Sequence, residues 1–250
     1  MFIIFRTLLV FIHLLYNLRL IIYKSYLIAH RKCTGYWYKR NPKTEIEMLV
    51  QSMNRIRRFP RHLVILGEKE GCIKDSIRII AWCITLDIPF VSFFGRKDFL
   101  SQHESAIKQE FAIRRPELME YINWSRLHIP QKENGITDSN PKVQVLLASN
   151  NSGKGRIISV TQNLAQAVIM KDLRIEEINE RFICEKMTLK GIPDPDLALI
   201  NGHICSTYGF LPWHTRTTEF FMLPVCHNVS VKDFIGVLEK YNKCEQRYGE

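Results

Sequence analysis

No two of the seven cysteines, at 33, 72, 83, 184, 205, 226 and 244, stand in a Cys-x-x-Cys spacing. That absence excludes a zinc knuckle and a thioredoxin-like motif. The odd, scattered set reads as thiols in a reducing compartment, the cytosol, with Cys83 buried in an apolar helical run. No Gly-x-Gly-x-x-Gly follows a strand-like run. In Ser152-Gly-Lys-Gly-Arg156 a phosphate-binding loop fails, because position 148 is Ala and position 155 is Gly. Residues 150–155 read instead as an ordinary polar loop. His203, His214 and His227 are eleven and thirteen residues apart with no cysteine pattern beside them, which excludes a zinc site. Repeats and low-complexity linkers are also lacking.

A basic surplus is missing from most of the chain. The formal charge is +10, but residues 1–60 hold eleven Lys or Arg against two Glu, and residues 61–250 hold twenty-four against twenty-three. A nucleic-acid binder places its surplus on the folded face that meets phosphate, so nucleic acid is excluded as a partner. A membrane-proximal segment explains the asymmetry.

What is present is 250 residues, 46% hydrophobic, enough for one buried core and an anchor. Residues 1–28 are strongly apolar. Their longest stretch without Lys or Arg, Thr7 to Leu18, is twelve residues, short of a clean span. Arg6 and Arg19 snorkelling to opposite interfaces would permit spanning, and an interface-lying helix is the alternative. Residues 29–42 form a basic linker; Arg31, Lys32, Lys39 and Arg40 put the following domain on the cytosolic side. The glycosylation patterns at Asn150 and Asn228 matter only on a lumenal face.

Residues 43–250 read as one domain. Helices are expected over 45–58, 73–86, 101–125 with a break at Pro116, 160–171, 174–186 and 231–241. Strands are expected over 62–66, 90–94, 143–148 and 197–200, with an edge strand at 219–223. Strands alternating with helices predict an α/β fold around a mostly parallel sheet, with ligands beyond the strands' C-terminal ends.

Within that frame Glu68, just past the first strand, could hold a divalent ion or simply lie in a solvated turn. Asp194 and Asp196 flank Pro195 and read as turn holders through backbone N–H groups. Phe210, Trp213, His214, Arg216 and Glu219 form an aromatic and charged run suited to an interface, with Arg216 and Glu219 spaced to pair. Arg247, Tyr248 and Gly249 could bind phosphate: arginine offers a planar fork, and glycine bares its N–H. A frayed tail is the plain alternative.

Pro60-Arg-His-Leu63, Phe210-Leu-Pro-Trp-His214, Thr218-Glu219 and Cys244-Glu-Gln-Arg-Tyr-Gly249 together resemble the Nogo-B receptor family. These are the non-catalytic subunits of dehydrodolichyl diphosphate synthase complexes within the cis-prenyltransferase superfamily. The resemblance covers about residues 55–250 and includes the His-started first strand and Pro193-Asp-Pro-Asp-Leu197. It implies a heteromeric enzyme that adds isopentenyl diphosphate to farnesyl diphosphate, making polyprenyl diphosphate for dolichol and protein glycosylation at the endoplasmic reticulum membrane. It implies that Arg247 and the Gly249 N–H contact isopentenyl diphosphate in a catalytic partner's site, with magnesium held mainly by that partner. Departures are visible. Catalytic members carry Asp-Gly-Asn-Arg-Arg where this chain has Glu68-Lys-Glu-Gly71. Residues 200–209 contain no arginine, and Glu250 stands where relatives commonly have Lys. Two rival readings remain: a self-sufficient homodimeric prenyltransferase, and a membrane-tethered receptor or binding module.

Overall fold

The computed structural model describes residues 2–37, 42–67, 73–95, 102–125, 141–148, 153–189, 191–202, 204–223 and 228–245. The chain forms two compact units, Met1–Glu45 and Ile46–Glu250. In the first, helix α1 (Phe2–Trp37) runs 36 residues without a break. Its stretch Ile4–Tyr23 is 20 residues long, apolar and unburied, which by length and composition is enough to cross a membrane. The helix continues past residue 28 through most of the expected linker, because no proline interrupts the sequence before Pro42. Pro42 instead opens helix α2 (Pro42–Met53), the position where a missing N–H costs nothing.

The larger unit is built on β1 (His62–Gly67), β2 (Phe90–Gly95), β3 (Ile122–Ser125), β4 (Val143–Ala148), β5 (Leu197–Asn201) and β6 (Glu219–Met222). They form one six-stranded sheet in the order β3-β4-β2-β1-β5-β6, with all five pairings parallel. The central strands read as unbroken apolar runs because both faces are covered. Leu63, Ile65, Val91, Phe93, Val143, Val145, Leu197 and Leu199 point to one core. Helices α3 (Ile73–Thr85), α4 (Glu104–Arg114) and α7 (Val231–Asn242) supply its other side through Ile80, Cys83, Phe111, Phe234 and Leu238. Cys83 is fully buried there, and burial pushes its thiol up. Val64, Leu66, Phe94, Ala148, Ala198 and Ile200 point to the opposite face.

Four expected elements differ. The helix expected over 45–58 runs Pro42–Met53, ending five residues before Arg58. Residues 101–125 are not all helical: α4 stops at Arg114, a 3-10 turn follows from Pro116 to Tyr121, and β3 pairs with β4. Pro116 ends the helix as anticipated, and the pairing rescues the residues beyond it. Helix α5 (Lys154–Ile169) begins six residues before position 160, so the loop expected to reach 155 is shorter. The expected helix 174–186 is broken into a 3-10 turn, Ile175–Glu177, and α6 (Glu180–Met187). Asn179 imposes that break by accepting the Phe182 N–H at 2.9 Å as an N-cap.

Candidate functional site

In a parallel sheet all strands end on the same rim, where ligands ordinarily sit. Here Gly67 of β1 lies in register with Gly95 of β2 and Asn201 of β5. The loops 68–72, 96–101 and 149–152, with Glu68, Ser152 and His203, fall outside the described residues. In the described residues beyond β4, two glycines approach closely. The Lys154 N–H donates to the Gly209 carbonyl at 3.1 Å, and Gly209 has φ +81°. A Cβ on Gly153 would collide with that carbonyl oxygen. Below the rim the sheet face is filled by the chain's own side chains. Phe210 is 1% exposed and packs at a tilt against Phe94, with ring centroids 5.2 Å apart, in a cluster with Leu189 and Leu211. Arg156 is spent on the carbonyls of Lys186 and Thr188, at 3.1 and 2.9 Å, and burial lowers its pKa.

The opposite rim, where the strands begin, carries a polar network. The Asp196 carboxylate accepts the N–H groups of Arg61 at 2.7 Å and His62 at 3.1 Å. His62 Nδ1–H donates to the Pro193 carbonyl at 2.7 Å, leaving Nε2 to accept from the Ser92 hydroxyl at 2.7 Å. Burial lowers its pKa to about 4 against the pull of that carbonyl. His214 spans the Asp194 carboxylate at Nδ1 (2.8 Å) and the Met187 carbonyl at Nε2 (2.9 Å). Asp194 and Asp196 are therefore fasteners, and they lie at the end away from the ligand rim. Among the described residues no group of three or more His, Cys, Asp or Glu could hold a metal ion.

The run from Phe210 to Glu219 descends from one rim to the other, and its residues divide by burial. Phe210 and His214 are buried and hold the segment in place, whereas Trp213 is 40% exposed and Arg216 is exposed. Arg216 and Glu219 form no ion pair. Glu219 opens β6, donating its N–H to the Asp196 carbonyl at 3.0 Å, so helical i,i+3 geometry does not apply.

Helix α7 starts at an N-cap, where Ser230 Oγ accepts the Asp233 N–H at 3.1 Å, and runs back to the polar rim. There the Asn242 side chain accepts the N–H groups of Arg57 at 3.1 Å and Arg58 at 2.9 Å. Arg58 lies over the Tyr241 ring at 5.1 Å and donates to the Cys244 carbonyl at 3.4 Å. Arg247, Tyr248 and Gly249 lie outside the described residues; their point of departure is fastened beside the entry to β1. Asn242 and Arg58 went unnoticed in the sequence, because their ties join positions about 185 residues apart. Also unnoticed was the exposure of α5, none of whose sixteen residues is buried. Its Ile158 and Ile169, eleven apart and so on one face, are 57% and 74% exposed.

A family model described as putative undecaprenyl diphosphate synthase matches residues 94–249, more than half of the chain. The human dehydrodolichyl diphosphate synthase complex subunit NUS1 is 29% identical over 207 residues, covering 78% of this chain and 68% of that protein. Two solved structures share the fold. Lavandulyl diphosphate synthase from Lavandula x intermedia has a TM-score of 0.55 at 16% identity, covering 76% of this chain and 98% of its own. A probable undecaprenyl diphosphate synthase from Campylobacter jejuni has a TM-score of 0.52 at 17% identity, covering 77% and 100%. The chain belongs to the undecaprenyl diphosphate synthase family of cis-prenyltransferases and is homologous to the NUS1 subunits within it.

Proposed function

We propose that this chain is the non-catalytic, activating subunit of a two-chain cis-prenyltransferase. The pair would condense isopentenyl diphosphate onto farnesyl diphosphate to make the long polyprenyl diphosphate used for dolichol and protein glycosylation. It would work at the endoplasmic reticulum membrane, tethered through α1, with the larger unit on the cytosolic side.

One observation carries this reading: the departure point of residues 246–249. Cys244 is tied to Arg58, beneath the start of β1. From Glu245, Arg247 lies at most about 7 Å along an extended chain and Gly249 about 14 Å. The six residues of β1 rise about 17 Å from that rim to the other. Both backbone distances are shorter than that rise, which supports the reading that a diphosphate held by Arg247 and Gly249 would belong to another chain. The Arg247 fork would grip its oxygens and the Gly249 N–H would add a third donor. Magnesium, when bound, would neutralise diphosphate charge from ligands on the partner. The filled sheet face under Phe210 and the lack of arginine in 200–209 support the absence of independent turnover. The exposed stripe of α5, with Trp213, supports a protein partner.

The test is steady-state turnover of the reconstituted pair with Arg247→Ala and Gly249→Pro. Both are expected to lower kcat by at least tenfold while co-purification and melting temperature hold. Wild-type rates in both variants, or polyprenyl synthesis by this chain alone, would refute the assignment.

A further inference from the structure

We propose that α1, beyond its apolar stretch, carries a recognition face for anionic phospholipid headgroups. This rests on the membrane attachment proposed above and adds to it a choice of lipid. Residues 1–44 contain eight Lys or Arg and no Asp or Glu. The helix continues unbroken from Ile4–Tyr23 to Trp37, so the cations at 24, 31 and 32 ride on the same rod as the apolar stretch. At 100° per residue, positions 24, 31 and 32 share an arc of about 100°. Tyr23, Tyr26, Cys33 and Trp37 occupy positions on the opposite arc. Aromatic residues of this kind favour the headgroup layer, so a basic arc opposed to an aromatic one suits a membrane surface.

Position decides whether those charges can act. At 1.5 Å per residue, Arg31 and Lys32 lie about 12 and 14 Å past Tyr23 along the helix. The headgroup layer is about 5 to 7 Å thick, and the surface potential decays over a Debye length of about 8 Å. Upright, the basic arc still sits within the field of the membrane surface; tilted, it enters the headgroups. Each such cation carries a preference of roughly fivefold for an anionic surface. With residues 61–250 at a net +1, most of the chain's surplus sits in this region. A nucleic acid would call for the surplus on the folded unit instead.

The experiment places the full-length chain in phosphatidylcholine bilayers containing trace spin-labelled phosphatidylserine or phosphatidylcholine. The motionally restricted fraction of each label is then compared by electron paramagnetic resonance. The wild type is expected to retain phosphatidylserine at least about fivefold over phosphatidylcholine at low salt, approaching parity in 0.5 M NaCl. Lys24→Gln/Arg31→Gln/Lys32→Gln is expected to lose the preference, and Lys24→Arg/Arg31→Lys/Lys32→Arg to keep it. Equal retention of both labels by an incorporated wild type, or an unchanged preference in the neutralised variant, overturns this inference alone. Failure to incorporate into phosphatidylcholine bilayers overturns the membrane reading and this one together. Retention of homopolymer RNA through the same three cations, with no lipid preference, would reassign the face and overturn the proposal.

Discussion

His62 links β1 to β2 through Ser92 and to the turn before β5 through Pro193, and it is 1% exposed. Its pKa of about 4 in the folded chain, against 6.5 for the free side chain, makes stability depend on pH. The folded value is the lower, so between the two values the unfolded chain binds more protons. The contribution of neutral His62 is fully present above about pH 6.5 and is lost as pH falls towards 4. The complete loss is about 3 kcal/mol, at 1.36 kcal/mol per pKa unit. Between pH 7.5 and pH 5 it amounts to about 2 kcal/mol, a large share of the stability of an ordinary domain. Urea unfolding followed by far-ultraviolet circular dichroism measures this, comparing the wild type with His62→Gln at both pH values. Other titrating groups cancel in the difference, so the wild type should lose about 2 kcal/mol more than the variant. Parallel losses in the two proteins, or a His62 imidazole titrating near 6.5 by NMR, would refute the reasoning.

Gly153→Ala should lower the melting temperature by several degrees, because its Cβ meets a backbone carbonyl that cannot swing away, a cost of about 1–3 kcal/mol. Gly236→Ala in α7 should raise it, since nothing lies within 4 Å of the new methyl and the helix gains up to about 1 kcal/mol; differential scanning calorimetry compares the pair. Asn242→Ala strips two backbone N–H groups of their acceptor, costs about 1 kcal/mol in urea melts, and lowers turnover of the reconstituted pair by loosening the base of the tail. Ile158→Lys/Ile169→Lys should leave melting within a degree or two, since both side chains are mostly exposed. It should weaken association with the partner at least tenfold by analytical ultracentrifugation.

The strands of the core were readable because burial on both faces leaves a compact apolar signature. Val143–Ala148 was anticipated to the residue, and His62, Phe90 and Leu197 were anticipated as strand starts. The edge strand β3 was not readable. Ile122–Ser125 has only four residues, mostly half-buried, and its state is decided by pairing with Val143–Leu146 across an intervening segment. The start of α5 was hidden because its N-cap, Gly153, offers no side-chain acceptor and is selected by a close approach to Gly209. Asp196 was correctly read as a holder of backbone N–H groups. The groups it holds belong to Arg61 and His62, 135 and 134 residues away, and no local pattern encodes that. Phe210 and His214 look like neighbours of Trp213 on a contact surface. Only the fold separates the two that fill the interior from the one that faces outward.

The two rims of the sheet are built differently. Parallel strands place their ligand loops on one rim, and a helix packed antiparallel on the sheet, as α7 is, returns the chain to the other. In this chain the side chains near the ligand rim are committed to packing, with Phe210 and Leu211 filling the sheet face. Hydrogen bonds spanning more than 130 residues tie the far rim, through Asp196, His62 and Asn242, and others tie the start of α3 to the chain before α7, through Asp75 with Asn228 and Arg78 with Val229. One residue, Gln246, separates Glu245 from Arg247, and ordering a backbone residue on binding costs about 1–2 kcal/mol. Two Asn242 hydrogen bonds and the Arg58–Cys244 contact confine the segment up to 244 before any partner arrives. In the proposed complex the ordering cost would then fall on only a few residues, because the base of the tail is already fastened.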